Sequence, residues 1–290
     1  MSNTRIVCPV NCKYCMASKI NKRSEYWLAG DKIGMNKSCV FVNRFPDDPA
    51  LKDMDIIPWN LFNGEYLGFQ GITDCFWNKY LDDLKWLAEY IPQSSIKKLV
   101  LVSKIPVTDE QISILKKLQD RVVVIYSITG TDALENTTTA SRLESIRKLK
   151  ENGVDVLPIV HPYIHGYSDL SSFELLKKIG IKYVSWKGFR YNPENMSELS
   201  KYIPQNILDM YSGQNEDEIL IGSNYIQVEA EKYGLTYVDL KKYIQKPNSV
   251  KGISKEEAEK EVRELAKHVV FSTSNKSTED VIEYAINRRL

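Results

Sequence analysis

The stretch "IKKLVLVSKIPVTDEQISILKKLQDRVVVIYSIT", residues 96–129, decides the fold. It begins and ends in apolar runs, "IKKLVLVSK" (96–104) and "RVVVIYSIT" (121–129), dominated by Val, Ile and Leu. Such runs, lacking polar alternation, read as strands buried on both faces. Between them Ile112, Leu115 and Leu118 recur at the spacing of one helix face, and Thr108 stands where an amino-terminal cap belongs. A strand, a covering helix and a second apolar strand make a parallel crossover unit.

Outward from this unit the same rhythm continues. "EYLGFQG" (65–71) reads as a strand and "WNKYLDDLKWLAEYI" (77–91) as its helix. Downstream, Leu143, Ile146 and Leu149 mark a helix that stops at Gly153, the usual residue type after a helix end. "VDVLPIV" (154–160) and "KYVSW" (182–186) are further strands, with the helix "SSFELLKKIG" (171–180) between them. Counting "NTRIV" (3–7) at the front, the pattern predicts six βα units over residues 1–190. An open doubly wound sheet and a barrel fit this alternation equally, and both gather ligands at the carboxyl ends of their strands. Two regions break the rhythm. Residues 16–64 read as an irregular insertion rich in charges, prolines and aromatics, the kind of stretch that usually carries function. Residues 191–290 read as a mainly helical extension with one strand-like piece, "GLTYVDL" (234–240), expected to pack on the first unit.

The chain of 290 residues is 43% hydrophobic, enough for a large core. Its 39 Lys and Arg nearly balance 38 Asp and Glu, so overall charge argues neither for nor against a polyanionic partner. No apolar run approaches membrane-spanning length, and "MSNTRIV" is too polar for a signal peptide. Five cysteines, an odd number, do not suggest a disulfide framework. The expectation is a soluble cytoplasmic protein whose clustered thiols bind metal or react.

Three of those cysteines lie in "CPVNCKYC" (8–15), as Cys8, Cys12 and Cys15 in a C-x3-C-x2-C spacing directly after the first predicted strand. Soft thiolate ligands suit zinc or iron–sulfur centres. Structural zinc wants a fourth ligand, and the nearest histidine is the distant His161. A four-thiolate cluster wants another cysteine, and Cys39 and Cys75 stand in no recognisable ligand spacing. A redox pair of Cys12 and Cys15 leaves Cys8 without a role.

With Tyr14 before the last cysteine, this loop resembles the signature of the radical S-adenosylmethionine (radical SAM) enzymes. The resemblance implies a 4Fe–4S cluster on Cys8, Cys12 and Cys15, with S-adenosyl-L-methionine chelating the iron that lacks a protein ligand. It also implies an α/β fold, a partial (β/α)6 barrel of TIM type, with the helical extension appended. Other strand ends are similar to one branch, the spore photoproduct lyase and DNA-repair-photolyase-like group. Gln70 and Gly71 stand where a turn binds the cofactor's amino group, and Thr73-Asp74 follow as in that branch. "VSK" (102–104) offers Lys104 to the cofactor carboxylate, and "SIT" (127–129) offers Ser127 as a further contact. Glu135, Arg142, Gly153, Pro162, Gly166 and Asp169 continue the match, while His161 and His165 replace the usual Ala and Pro. The cofactor contacts so implied are Tyr14, Gln70, Gly71, Thr73, Asp74, Lys104, Ser127 and Arg142.

Each of these residues has a plainer explanation: Lys104 as a surface charge, Ser127 as a strand terminator, and Arg142 with Glu135 as a loop-to-helix ion pair, worth little if exposed. Their joint position at successive strand ends favours a site. The implied reaction is reductive cleavage of S-adenosylmethionine to a 5′-deoxyadenosyl radical, which abstracts hydrogen from a substrate. An electron donor such as flavodoxin or ferredoxin is the expected partner. By branch analogy the substrate is a nucleobase in nucleic acid, with Lys19, Lys22 and Arg23 as a candidate groove lining and Cys75, then Cys39, as a hydrogen donor to the product. A small metabolite or peptide is the alternative substrate, although residues 191–290 contain no cysteine for auxiliary clusters. A non-enzymatic iron–sulfur binding or sensing protein is the alternative from another class.

Overall fold

A computed structural model describes residues 8–15, 40–42, 66–69, 73–94, 96–190, 193–212, 218–248 and a few positions between 250 and 260. Seven strands, β1 (Val40–Val42), β2 (Tyr66–Phe69), β3 (Lys98–Ser103), β4 (Val122–Ser127), β5 (Val156–Val160), β6 (Tyr183–Trp186) and β7 (Thr236–Tyr237), lie side by side in chain order. Every pairing is parallel. Helices α1 (Leu81–Tyr90), α2 (Asp109–Lys116), α3 (Thr139–Glu151) and α4 (Ser172–Ile179) follow β2 to β5 in turn. The sheet is open, an α/β half-barrel rather than a closed one, consistent with a partial (β/α)6 barrel carrying a helical extension.

Alternation along each strand sorts its residues to two faces. On β4, Val122, Val124 and Tyr126 join the helix-side core, while Val123 and Ile125 face the interior beside Val100, Leu157 and Ile159. Each such side chain contributes about 1.5–3 kcal/mol by leaving water. Helix starts and stops follow local chemistry. Thr108 and Gln111 close a reciprocal capping box on α2. Gly180 ends α4 at φ 78°, a left-handed conformation that favours glycine.

The insertion 16–64 needs one correction. Its described piece, Val40–Val42, is not irregular but a strand paired in parallel with Leu67, Gly68 and Phe69 of β2. Its Val-Phe-Val composition suits a strand, but three residues are too few for periodicity to register. The expected first strand, residues 3–7, lies outside the described residues.

The extension continues with α5 (Pro193–Leu199), α6 (Gln205–Asp209), α7 (Ser223–Lys232) and α8 (Leu240–Ile244). "GLTYVDL" supplies β7, which pairs with β6, and α7 sends Ile226 and Ala230 into the helix-side core. Tyr243 and Ile244 of α8 enter the interior cluster at the amino ends of the strands, where Tyr243 donates to Asp155 Oδ1 at 2.7 Å. At the opposite end Leu199, Ile203, Leu208 and Tyr211 pack on Leu134, Ile164 and Phe189, the loops after β4, β5 and β6. Among the described residues no helix is long and apolar enough to cross a membrane.

Candidate functional site

The loop carrying Cys8, Cys12 and Cys15 is held at the carboxyl ends of the strands by backbone bonds to the segment after β4. Lys13 N donates to Leu134 O at 2.9 Å, and Asn136 N donates to Val10 O at 2.8 Å. The Asn136 side-chain amide adds a bond to Pro9 O at 3.1 Å. Within the loop, Asn11 N donates to Cys8 O and Cys15 N to Cys12 O, with Asn11 at a positive φ of 47° that Asn tolerates better than most residues. None of the three forms a disulfide, and each is partly exposed.

Burial pushes the Cys8 thiol up to about 11 and Cys12 up to about 12. Such thiols ionise readily only when a cationic centre compensates, which is what a metal ligand set requires. Among the described residues no three side chains converge to hold a single metal ion. A polynuclear cluster bonds each thiolate to a different iron and so accepts wider spacing. The donor set, three thiols on one loop with no fourth protein ligand beside them among the described residues, fits a 4Fe–4S cluster with one open iron.

Beside this loop lies a buried ionic chain. Lys104, just past β3, donates to Glu135 Oε1 at 2.6 Å, to Tyr14 Oη, and to the His161 carbonyl at 3.3 Å. Its ammonium also stands 4.7 Å from the centre of the Tyr14 ring. The second Glu135 oxygen accepts from Arg142, and both of those side chains are 0% exposed. Arg142 is further fixed by Ser127 O at 3.2 Å, Thr129 Oγ1 at 3.3 Å and Thr137 O at 2.7 Å. The Arg142–Glu135 pair therefore forms in the interior, where removing one partner is costly. Burial lowers Lys104 to about 8; Cys12 pulls the other way and Arg142 adds to the lowering. Burial likewise raises Glu135 against the pull of Arg142.

Ser127 ends β4 and donates to the same His161 carbonyl at 2.9 Å, so strand ends three, four and five meet at one point. The His161 imidazole is held well below its ordinary range by burial, then by Lys187, Lys104 and Arg190, and stays neutral. Glu218 answers those cations, 3.6 Å from Arg190 Nε and 3.9 Å from His161 Nε2.

Not every expected residue joins this centre. Asp74 is buried and accepts from Lys104 N at 2.6 Å, Ser103 Oγ at 2.7 Å, Phe76 N at 3.0 Å and Ile105 N at 3.1 Å. Its carboxylate is thereby engaged with the backbone that sets Lys104 in place. Thr73 donates to Tyr80 Oη at 3.1 Å. Cys75 is 1% exposed in the helix-side core and donates to Val102 O at 3.4 Å. Gln70, Gly71, Cys39 and the trio Lys19, Lys22 and Arg23 lie outside the described residues. The sequence reading missed Thr129 and Thr137 as supports of Arg142, and Leu134 and Asn136 as anchors of the cysteine loop. Leu134 O and Asn136 N act as backbone atoms, which leave no sequence signal.

No family model matches the chain, and no curated protein matches it in sequence. Among solved structures, the chain is similar to spore photoproduct lyase complexed with dinucleoside spore photoproduct, at 15% identity and a TM-score of 0.49, covering 79% of this chain and 73% of that one. A cysteine-to-serine variant of that lyase matches at 16% identity and a TM-score of 0.48 over the same shares. Streptococcus suis SuiB bound to S-adenosylmethionine matches at 12% identity and a TM-score of 0.39, over 71% of this chain and 46% of that one.

Proposed function

We propose that this chain is a radical SAM enzyme. The observation that carries the reading is the anchored loop of Cys8, Cys12 and Cys15 beside the Tyr14–Lys104–Glu135–Arg142 chain, at the strand ends where such folds react. Cys8, Cys12 and Cys15 would hold a 4Fe–4S cluster, and S-adenosylmethionine would bind beside it. Together these cofactors supply one-electron cleavage of a carbon–sulfur bond and a radical able to take hydrogen from an unactivated carbon.

The protein's part is binding and positioning. Lys104 presents a cation to the cofactor carboxylate, and Glu135, Tyr14 and the His161 carbonyl fix its direction. Arg142 anchors Glu135 from behind, and Asp74 fixes the backbone turn that aims Lys104. Ser127 ties β4 to β5 at the same point. The apolar interior formed by Val100, Val123, Ile125, Leu157 and Ile159 excludes water beneath the site.

The substrate this reading favours is a nucleobase in nucleic acid, because the residue pattern at the ends of β3 and β4 is similar to the spore photoproduct lyase branch. Lys187 and Arg190, past β6, supply cations suited to phosphodiester groups. The electron donor is proposed to be a small redox protein such as flavodoxin or ferredoxin.

The test is anaerobic iron–sulfur reconstitution followed by dithionite and S-adenosylmethionine, with 5′-deoxyadenosine quantified against a Cys12→Ala variant. The nucleoside is expected from the intact chain alone. A cluster without cleavage under any reductant would instead identify a binding or sensing protein. Salt-dependent binding of single- and double-stranded DNA and RNA tests the substrate class separately, and its absence would move the proposal to a metabolite or peptide.

A further inference from the structure

A cavity of about 750 Å³ opens at the amino ends of the strands, the face opposite the thiols. Four lysines line it, Lys98, Lys116, Lys150 and Lys246, with two carboxylates, Asp120 and Asp155. Lys116 and Lys150 lie in the last turns of α2 and α3, where cations complement the helix dipole. Lys246 lies over the Tyr243 ring, 3.4 Å from its centre. None of these explanations reaches Lys98, which sits on a strand.

Lys98 is 4% exposed, and among the described residues its ammonium makes no hydrogen bond or ion pair. Burial lowers its proton affinity and Lys246 acts in the same direction, with Asp155 and Asp120 opposing. Asp155 already accepts a bond from Tyr243. A cation so placed, on the wall of a cavity and without a bonded partner among the described residues, is stabilised by an anion that enters from outside. The excess of two positive charges around the cavity matches a phosphate dianion better than a carboxylate. The volume lies within the range of about 300–1,000 Å³ usual for small-molecule sites, so a phosphate group leaves room for an organic body against Leu115 and Pro247.

We propose that this cavity binds a phosphomonoester, its phosphate meeting Lys98 at the floor and Lys116, Lys150 and Lys246 around it. The site is independent of the radical chemistry assigned to the opposite face. Nucleotides and sugar phosphates share the recognising group, and the organic body decides between them.

The test is isothermal titration of the full chain at fixed ionic strength with adenosine 5′-monophosphate, ribose 5-phosphate, inorganic phosphate and adenosine. Saturable binding of at least one phosphomonoester is expected, tighter than inorganic phosphate, with adenosine silent. Adenosine 5′-monophosphate binding more tightly than ribose 5-phosphate would identify a nucleotide site, and the reverse a sugar-phosphate site. Lys98→Met is expected to remain folded and to weaken binding by about tenfold to a hundredfold, the range for losing a charged hydrogen bond. Lys246→Gln is expected to weaken it less, and Cys12→Ala to leave it unchanged. Absence of binding by every phosphomonoester up to about 10 mM would overturn the proposal. So would affinity that is equal in the intact chain, Lys98→Met and Lys246→Gln.

Discussion

Lys98 opens strand β3 and Lys104 follows its last residue, and both side chains are largely buried, yet their surroundings are opposites. At the carboxyl end, Lys104 is 16% exposed and bonded to Glu135, Tyr14 and the His161 carbonyl, with Arg142 fixing Glu135 from behind. At the amino end, Lys98 lines a cavity and has no bonded counter-ion among the described residues. One end of the half-barrel is organised before any ligand arrives; the other presents a charge that no described residue pairs. The lesson concerns what holds a cation in a poor dielectric. A buried charge persists when every partner is itself held, as Glu135 is by Arg142 and Thr129.

The largest break in this comparison comes from Glu135→Ala. It leaves Lys104 and Arg142 buried without their shared carboxylate, and a loss of about 3–5 kcal/mol is expected in urea denaturation at neutral pH. A loss below about 1 kcal/mol would show that water reaches both cations and that the centre is not dry. Asp74→Ala comes next. It strips an acceptor from the amides of Phe76, Lys104 and Ile105, at a cost of about 2–3 kcal/mol. Because this turn aims Lys104, S-adenosylmethionine affinity should fall with it; unchanged affinity would detach Asp74 from the site.

Acidity sharpens the contrast. Lys104, lowered to about 8 chiefly by burial, is charged below that pH and neutral above it. A carboxylate ligand prefers the charged form, so affinity for S-adenosylmethionine is full on the acid side and is lost as pH rises through that value. The expected loss is about tenfold one unit beyond it, read by equilibrium dialysis. A flat profile would remove Lys104 as the carboxylate contact. Cys75→Ala should cost about 1–2 kcal/mol as a small core truncation while leaving cofactor cleavage and product unchanged. A changed product would restore Cys75 as a hydrogen donor despite its packing in the helix-side core. Smallest of all, Lys98→Met should be neutral or stabilise the ligand-free chain by up to about 1 kcal/mol, since it removes a buried charge that no described residue pairs. The equivalent Lys104→Met should destabilise, and the same sign at both ends would erase the distinction between them.

How much of this was legible in the sequence depended on range. β4 was read within two residues of its ends because an apolar run flanked by turn residues has few other solutions. The start of α2 was read from Thr108, whose capping partner Gln111 is three residues away. Lys104 and Ser127 followed from their place at strand ends, but their roles came from resemblance, since periodicity says which face a residue takes and not what it meets. Asp74 shows the limit. Its partners Ser103, Lys104 and Ile105 lie 29 to 31 residues further on, so no local pattern distinguishes a turn-forming carboxylate from one that touches a ligand. Cys75 lies beyond the end of β2 at Phe69, where strand alternation no longer says which face a side chain takes. β1 stayed unread because Val-Phe-Val is shorter than any period it could display.

The central claim is that the thiol loop holds a cluster whose open iron is completed by S-adenosylmethionine. Electron paramagnetic resonance of the reconstituted, reduced protein, recorded before and after adding S-adenosylmethionine, tests it most directly. The account predicts a reduced-cluster signal in the intact chain, abolished in Cys12→Ala, whose position and shape change when the cofactor is added. A cluster signal indifferent to S-adenosylmethionine, or one that survives the loss of Cys12, would contradict it.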